Sequence, residues 1–494
     1  MPNKGKGVSR RSVLAGGAAF SGYALAGCAA TGAANRGVTT MAATDSIDLS
    51  TAGALEIGNA VRAGQISALE ATDAAIARIE ALDGRVNAVV VRDFDRARDA
   101  AKAIDAARSA GDARPFLGVP MTVKESNDVA GLASTWGFEM FKDMKVAHDG
   151  AVVERLKAQG AIILGKTNVP VALADWQAEN PVYGRTVNPF DAGRSPGGSS
   201  GGAAAALATG MVPLEIGSDI GGSIRIPAHF CGVFGHKPTY GIVPSRGHGF
   251  PGTDGVDAPL AVVGPMARNV ADLAACLDVI AGPEAGSGYQ LALPAPRQGS
   301  LGGYRVRVIR AMPDVPVDRD TGAALDAISA ALKAAGASVT EGTEGMPDLA
   351  GMMPAYIRML NTVTSRGRPD AAPITAHDWM ALQDYQLSVT RAWARFFAET
   401  DILISPSFST PAFPHKEEPD WSKRTLEVDG AALPYGGQLA WAAIATFAGL
   451  PSTVAPVARS AGGLPIGVQL IGAPYGDRTT LHFASLLEAA GLTV

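Results

Sequence analysis

Residues 195–245 read SPGGSSGGAAAALATGMVPLEIGSDIGGSIRIPAHFCGVFGHKPTYGIVPS and contain two clusters of glycine and serine. The first cluster runs into the strongly helix-forming segment 203–207, so its backbone amides are expected at a helix N-terminus with Ser199 on a tight turn. The second cluster, 219–225, follows a strand-like segment. Glycines there let consecutive amides face one point and stabilise a developing oxyanion, and Ser223 stands where it could attack a carbonyl held there.

A lysine ends an apolar segment further upstream. Residues 118–124 (GVPMTVK) read as a buried strand that is entered through a proline and closes on Lys124. A free lysine ammonium has a pKa near ~10.4 and cannot accept a proton at pH 7. For Lys124 to act as a base, burial must lower its pKa by about three pH units, at a cost of roughly 4 kcal/mol. The alternative interpretation pairs Lys124 with Glu125 or Asp128 at the surface.

These three residues, in this order and at these intervals, resemble the amidase signature family of serine hydrolases. Lys124, Ser199 and Ser223 match the family's lysine, first serine and second serine in both letters and spacing. The resemblance extends over roughly residues 50 to 490. Its further matching segments are 165–168 (GKTN), 237–241 (KPTYG), 264–268 (GPMAR), 401–406 (DILISP) and 463–472 (GLPIGVQLIG).

The family resemblance implies a fold and a reaction. The fold is α/β, a mixed β-sheet core sandwiched between helices in one main domain, here residues 49–494. The reaction is hydrolysis of a carboxamide through an acyl-enzyme. Ser223 is the implied nucleophile, and Ser199, which follows a cis peptide bond, carries the proton between Ser223 and Lys124. No metal or organic cofactor is implied.

The resemblance also assigns supporting roles. The implied oxyanion hole consists of the backbone amides of four consecutive residues, Ile220, Gly221, Gly222 and Ser223. Ser200 is expected to be a partner of Lys124. Asp219 and Arg225 are expected to form a structural ion pair.

Two other segments fit known motifs in their sequence pattern but not in their structural context. Residues 160–167 (GAIILGKT) fit the phosphate-loop pattern, but the interior Ala-Ile-Ile-Leu is itself strand-like and Pro170 follows, so nucleotide binding is not predicted. Residues 197–201 (GGSSG) fit the nucleophile elbow of Ser-His-Asp hydrolases, but the preceding stretch is too rich in proline and turn residues for a central strand. A Ser-His-Asp esterase is therefore a minor alternative. His229 and His236 are expected to be packed and hydrogen-bonded rather than catalytic.

Composition limits the possible partners. The 494 residues are 47% hydrophobic with a net charge of -5, so no basic surface for nucleic acid is expected, and no run of about eighteen apolar residues predicts a membrane span. The three cysteines (Cys28, Cys231, Cys276) lie far apart and predict neither a disulfide framework nor a zinc site.

The first residues have the features of an export signal. Residues 1–27 combine a basic start, the pair Arg10-Arg11 and a short apolar stretch, as in twin-arginine signals. Residues 25–28 (LAGC) resemble a lipobox, so we expect cleavage before Cys28, lipidation of its sulfur and anchoring on the periplasmic side of a bacterial membrane. Residues 28–48 read as a flexible tether.

The identity of the substrate is left open. A small-molecule or peptide-like amide is expected, with the amidotransferase subunit that acts on glutamine as the alternative, although its cytoplasmic role conflicts with the export signal. A lipoprotein that binds an amide without turnover is disfavoured by the intact triad. Residues 246–258 and apolar side chains between 352 and 445 are candidate pocket walls, with core packing as the other interpretation: Met352, Met353, Tyr356, Trp379, Tyr385, Trp393, Tyr435 and Trp441.

Several elements are predicted from local patterns. Ser67 and Glu70 form a capping-box signature. The predicted elements are helices over 67–82, 94–110, 150–159 and 320–335, strands over 161–164, 304–310 and 337–340, and a long surface loop over 282–303.

Overall fold

The computed structural model describes residues 47–109, 111–253, 257–365 and 371–494. Residues Ile47–Val494 form one compact unit. The predicted export signal, lipobox and Cys28, and most of the predicted tether, lie outside the described residues. In the part of the chain that is described, no helix has both the length and the apolar character needed to cross a membrane.

Helices and strands alternate along most of the described chain. The helices are α1 (Ala54–Ala63), α2 (Ala68–Leu82), α3 (Phe94–Ala107), α4 (Ala151–Ala158), α5 (Gly201–Ala208), α6 (Arg225–Cys231), α7 (Val270–Ile280), α8 (Arg319–Ala334), α9 (Met353–Thr364), α10 (Ala376–Glu399), α11 (Leu439–Thr446) and α12 (Asp477–Ala489). The strands are β1 (Val89–Arg92), β2 (Pro120–Lys124), β3 (Ile162–Thr167), β4 (Glu179–Asn180), β5 (Gly184–Arg185), β6 (Leu214–Asp219), β7 (Phe234–Lys237), β8 (Val262–Ala267), β9 (Arg305–Val308), β10 (Ser338–Glu341), β11 (Ile402–Pro406), β12 (Thr425–Val428), β13 (Ala431–Pro434), β14 (Ser452–Arg459) and β15 (Pro465–Ile471).

The elements predicted from local patterns are present. Helix α2 begins where the capping box predicts: the Ser67 hydroxyl accepts the Glu70 amide, and the Glu70 carboxylate accepts the Ser67 amide. Helix α3 ends at Ala107, slightly before the predicted limit. Most of the segment that resembles a phosphate loop lies in strand β3, as predicted for its apolar interior, and Lys166 contacts Ser134 Oγ at 2.8 Å.

Two mixed sheets form the centre of the fold. The larger has the strand order β10-β9-β11-β15-β14-β7-β8-β6, parallel over β10-β9-β11 and antiparallel elsewhere. The smaller has the order β1-β3-β2, with β3 parallel to β2 and antiparallel to β1. Helices α2, α3 and α5 pack against the smaller sheet, and α6, α7, α8 and α12 against the larger. The predicted α/β architecture is confirmed, although its core strands form two hydrogen-bonded sheets rather than one, and the pairs β4–β5 and β12–β13 form two further two-stranded sheets among the described residues.

The two sheets meet at their edge strands. Strand β2 ends the order of the smaller sheet, β6 ends the order of the larger, and the two pack against each other. Their carboxyl ends lie together, because Lys124 at the end of β2 contacts Ser218 near the end of β6. Helix α5 packs against both strands. The residues singled out from the sequence therefore converge at this junction.

Candidate active site

Lys124 is fully buried and contacts two hydroxyl groups. Its Nζ lies 2.6 Å from Ser199 Oγ and 2.9 Å from Ser218 Oγ. Burial lowers the pKa of Lys124 to about 7, against the opposing effect of the nearby Asp219 and Glu215 carboxylates. The surface ion pair considered as an alternative does not form. The amine at this place can therefore exchange a proton near neutral pH.

Glu125, the neighbour of Lys124, has a different task. Its buried carboxylate accepts the backbone amides of Thr135 and Trp136, at 2.6 and 3.0 Å, and the hydroxyl of Tyr183 at 3.1 Å. Glu125 thus fixes a loop beside the site instead of neutralising the lysine.

The first serine cluster is held in close contact with the rest of the site. The peptide bond between Gly198 and Ser199 is cis, as the family resemblance implies. A Cβ atom on Gly198 would lie 2.3 Å from the carbonyl oxygen of Asp175, so only glycine fits there. The Ser200 amide donates to the carbonyl oxygen of Ser223 at 3.1 Å. This bond ties the two glycine-serine clusters together.

The expected contact between Ser200 and Lys124 is not observed. Ser200 Oγ instead lies 3.3 Å from the amide nitrogen of Ser218, and it is the Ser218 hydroxyl that contacts the lysine amine. Helix α5 begins at Gly201 and Ser200 contacts the backbone of β6, so the link between Ser200 and Lys124 runs through Ser218. Sequence reasoning missed Ser218, because its contact with Lys124 depends on the packing of β2 against β6, two strands that lie far apart in sequence.

Ser223 follows the two glycines of the second cluster, and 6% of its surface is exposed. Among the described residues its hydroxyl has no hydrogen-bond partner. Ser223 is therefore linked to the first cluster by the backbone bond from the Ser200 amide, and not by a hydrogen bond between the Ser223 and Ser199 hydroxyls. A partly accessible hydroxyl at the edge of a buried polar cluster is suited to meet a substrate carbonyl.

The four amides expected to form the oxyanion hole differ in their partners. The Gly222 amide donates to Asp219 Oδ1 at 2.9 Å and is already engaged. Those of Ile220, Gly221 and Ser223 have no acceptor among the described residues. The expectation that all four point to one place is therefore wrong for Gly222, because Asp219 bends back over the loop and accepts that amide.

Asp219 and Arg225 form the expected buried ion pair. The guanidinium contacts both carboxylate oxygens, Nη2 to Oδ1 at 2.8 Å and Nε to Oδ2 at 2.9 Å. Arg225 also donates to Gln469 Oε1 at 2.6 Å and Thr446 Oγ1 at 2.7 Å. The charge of Arg225 holds the pKa of Asp219 down at about 2 despite burial. The pair fastens the second cluster to β15 and α11.

Glu215 is a second buried acid at the sheet junction. Burial raises its pKa to about 8. Its Oε2 accepts the Ile216 amide at 2.9 Å, whereas Oε1 and the adjacent hydroxyls of Thr122 and Thr167 have no partner in hydrogen-bonding geometry within the described residues. At pH 7 this carboxyl group is therefore mostly protonated, and it raises the pKa of Lys124 only in its charged form.

The histidines considered as alternatives have structural partners. His229 Nε2 contacts the Thr410 carbonyl oxygen at 2.9 Å, and His229 Nδ1 accepts the Gly467 amide at 2.7 Å. His236 lies between Asp477 and Thr453, at 3.1 and 2.9 Å. Both side chains are fully buried, so their interpretation as packed core residues is confirmed. Within the described ranges, no group of three His, Cys, Asp or Glu side chains is arranged to hold a metal ion.

Most of the expected pocket walls belong to the core. The fully buried members of that set are Met352, Tyr356, Trp393, Tyr435 and Trp441. Because their rings are enclosed by other protein atoms, they cannot line an open pocket in this conformation, and core packing is the correct interpretation for them. The burial of these apolar side chains stabilises the folded state instead.

Residues 246–253, the first part of the first expected wall, do lie beside the site. His248 Nε2 is 3.0 Å from Ser126 Oγ, and its ring centroid is 5.5 Å from that of Trp136. Phe250 adds a ring 6.0 Å from Trp136 and is 45% exposed. Sequence reasoning missed Trp136, whose amide donates to the carboxylate of Glu125, the residue that follows strand β2.

Known proteins are similar to this chain over most of its length. A sequence model described as Amidase matches residues 70–368 and 362–481. A subunit of the glutamyl-tRNA(Gln) amidotransferase of Roseiflexus castenholzii is 33% identical over 466 residues, which cover 85% of this chain and 91% of that protein. An indoleacetamide hydrolase of Bradyrhizobium diazoefficiens is 32% identical over 461 residues, covering 88% and 86%. The solved structure of 6-aminohexanoate cyclic dimer hydrolase has a TM-score of 0.76 at 29% identity and covers 90% of this chain and 97% of its own.

Proposed function

Because the chain belongs to the amidase family, we propose that it hydrolyses a carboxamide through an acyl-enzyme formed on Ser223. One observation carries the proposal. A fully buried lysine whose pKa is about 7 lies 2.6 Å from Ser199 Oγ, in the turn whose next amide is bonded to the backbone of Ser223. A neutral amine in contact with a hydroxyl is a general base, and surface lysines lack this property at neutral pH.

In the first half-reaction, Ser223 Oγ bonds to the substrate carbonyl carbon. The Ser223 proton passes to Ser199, and Ser199 passes its own proton to Lys124 Nζ. The negative charge that develops on the substrate oxygen is met by the unengaged amides of the second cluster. Collapse of the tetrahedral intermediate breaks the C–N bond, and Lys124 returns a proton through Ser199 to the leaving amine.

In the second half-reaction, water replaces the amine. Lys124 accepts a proton from water through Ser199, and the resulting hydroxide bonds to the acyl carbon. The tetrahedral intermediate then expels Ser223 Oγ, which takes the proton back from Lys124 through Ser199, and the acid product releases its own proton to solvent as it becomes the carboxylate. Both half-reactions use the same base and the same oxyanion donors, so a single site completes the cycle.

The proposed substrate is a small amide rather than a macromolecule. The net charge of -5 offers no basic surface for a nucleic acid, and the exposed ring of Phe250 with Trp136 beside the site favours an apolar or aromatic acyl group. The similarity to an amidotransferase makes glutamine the second candidate.

Amide hydrolysis by the full-length protein tests the proposal. We would measure product release from benzamide, indole-3-acetamide, 4-nitroacetanilide and glutamine with wild type, Ser223→Ala and Lys124→Ala. Ser329→Ala is the matched control, because Ser329 is also buried but lies on α8. Loss of activity in the first two variants, with the control unaffected, would support the mechanism. Undiminished hydrolysis by Ser223→Ala would refute it, and turnover of glutamine alone would favour the amidotransferase alternative.

We further propose that the protein is exported and anchored by lipid at Cys28 on the periplasmic side. The proposal rests on Arg10-Arg11 and on residues 25–28. In a bacterial host with a twin-arginine pathway, the wild-type protein should co-sediment with membranes and incorporate labelled palmitate. Cys28→Ser should abolish the label, and Arg10→Lys with Arg11→Lys should retain the protein in the cytoplasm. Equal labelling of wild type and Cys28→Ser would contradict lipidation at this residue.

A further inference from the structure

The backbone of the oxyanion loop, residues 220–223, contains two consecutive glycines. Glycine has no Cβ atom to restrict φ and ψ, so the peptide planes on either side of Gly221 and Gly222 can rotate at little cost. Rotation of one plane would turn an amide away from a substrate oxygen and present a carbonyl in its place. An oxyanion hole built on such a loop needs external contacts that hold its planes.

Tyr356 holds the first of these planes. Its hydroxyl, at the buried face of α9, donates to the carbonyl oxygen of Ile220 at 3.0 Å. The carbonyl of Ile220 and the amide of Gly221 belong to one planar trans unit and point in opposite directions. Fixing that carbonyl therefore fixes the direction of the Gly221 amide, which has no acceptor among the described residues.

Trp176 holds the second plane. Its indole Nε1 donates to the carbonyl oxygen of Gly221 at 3.0 Å, and the amide of the same plane, that of Gly222, donates to Asp219. This plane is thus held at both ends. With its neighbour immobile, the Gly221 amide can turn only if the Tyr356 contact is broken.

Both aromatic donors are themselves rigid. Tyr356 is fully buried, and Trp176 is 2% exposed and packs against the rings of Phe408 and Tyr435, with centroids 5.4 and 5.0 Å away. The carboxylate of Asp175 accepts the Trp176 amide at 2.7 Å and is fixed in turn by Arg424. Neither donor needs to order on substrate binding, as preorganised electrostatic stabilisation requires.

We propose that Tyr356 and Trp176 are the positioning residues of the oxyanion hole, and that Tyr356 aims the Gly221 amide at the substrate oxygen. They act through the backbone and do not contact the reacting atoms. The inference rests on the proposed function, because it concerns the same site. It extends that function by assigning two side chains, from distant parts of the chain, to transition-state stabilisation.

The test compares Tyr356→Phe and Trp176→Phe with matched controls in the full-length protein. Tyr304→Phe removes the same atom from another buried tyrosine, whose hydroxyl donates to the Gln298 carbonyl oxygen. Trp393→Phe shrinks another buried indole, one whose Nε1 has no hydrogen-bond partner within the described ranges. All variants are compared at equal folded fraction, checked by thermal unfolding.

Two kinetic measurements report whether the backbone amides of the oxyanion loop are correctly oriented. The first is kcat and KM on the amide that wild type hydrolyses fastest. The second is the rate constant for labelling by an alkyl fluorophosphonate, in which Ser223 Oγ bonds to phosphorus, fluoride leaves and the Ser223 proton passes to the serine-lysine pair. The second measurement needs no knowledge of the natural substrate, and Ser223→Ala shows that the label is on Ser223.

Tyr356→Phe should lower kcat and the labelling rate constant by about 10- to 100-fold while KM changes by less than about 3-fold. Trp176→Phe should lower both by a smaller factor, and the two controls should leave them unchanged. Wild-type kcat and labelling in a folded Tyr356→Phe protein would overturn the inference while leaving the proposed function intact. Labelling that persists in Ser223→Ala would instead refute the proposed function.

Discussion

Lys124 must be neutral to accept a proton, and burial at the end of β2 favours the neutral form. With a pKa of about 7, most of the amine is protonated and inactive at pH 5.5. We therefore predict that kcat/KM rises about tenfold per pH unit below pH 7 and levels off above it. A pH series from 5 to 9 on one amide measures this. A flat profile, or one that falls with rising pH in this range, would contradict the role of Lys124 as base.

Adding a Cβ atom at Gly222 tests whether the shape of the 220–223 loop matters for activity. Its φ is +95°, and a Cβ there would lie 2.6 Å from Ile226 Cδ1. Gly222→Ala should shift the adjacent amides and lower kcat by about 100-fold or more. Gly241→Ala is the control, because Gly241 also has a positive φ of +84° but nothing within 4 Å of its Cβ. Equal activity of the two variants would show that the shape of the 220–223 loop is unimportant.

At this scale the sequence predicted the reacting groups but not their supports. Lys124, Ser199 and Ser223 were recognisable because glycine-serine clusters and a strand-end lysine have local signatures. Ser218, Trp176 and Tyr356 have none. Their contacts with Lys124, Gly221 and Ile220 arise only when distant segments of the chain are brought together.

Helix α6 and the loop before it are fastened by Arg225, the first residue of the helix. Arg225→Met would leave the Asp219 carboxylate buried without its charge partner, so we predict a loss of about 3–5 kcal/mol in the free energy of unfolding. The double variant with Asp219→Asn should recover part of that loss, because no buried charge remains. Denaturant unfolding of the two single variants and the double variant measures the coupling. Strictly additive effects would show that the pair is not an energetic unit.

Elements with local signals were predictable. Helix α2 follows from its capping box, and β9, α8 and β10 follow from alternating apolar patterns separated by glycine. The order of the strands was not predictable from local signals. Strand β6 pairs with β8 and packs against β2 through contacts between residues far apart in sequence. Whether the strands form one sheet or two is decided by those distant pairings.

The junction between the two sheets leads to a prediction for the whole molecule. Glu215 has an ordinary pKa of 4.5 and a pKa of about 8 in the folded protein. Between these values the unfolded chain loses its proton while the folded protein keeps it, so this group makes stability fall as pH rises toward 8. Glu215→Gln removes the effect and should raise the free energy of unfolding by about 3 kcal/mol at pH 7, and by much less at pH 5.

Denaturant unfolding at pH 5 and pH 7 measures this difference. Glu344→Gln, at an exposed site, is the control and should change stability little at either pH. A Glu215→Gln protein that is less stable than wild type at pH 7 would show that the carboxylate is charged and stabilising at the sheet junction.

The α/β class was predictable for the whole chain, because the matching segments are spread from its first third to its end. The assignment of residues to pocket walls was not predictable from the sequence. Large apolar side chains serve core and pocket equally well, and only the packing decides between them, as it does for Trp393 and Trp441.

The location of the acyl group during turnover tests the central claim most directly. The full-length protein would be mixed with an excess of its best amide, quenched in acid after milliseconds to seconds, digested and analysed by peptide mass. We predict an added acyl mass on the peptide that contains Ser223, which is absent in Ser223→Ala. An acyl group on Ser199 or Ser200 instead, with Ser223→Ala still active, would contradict the assignment of Ser223 as the nucleophile.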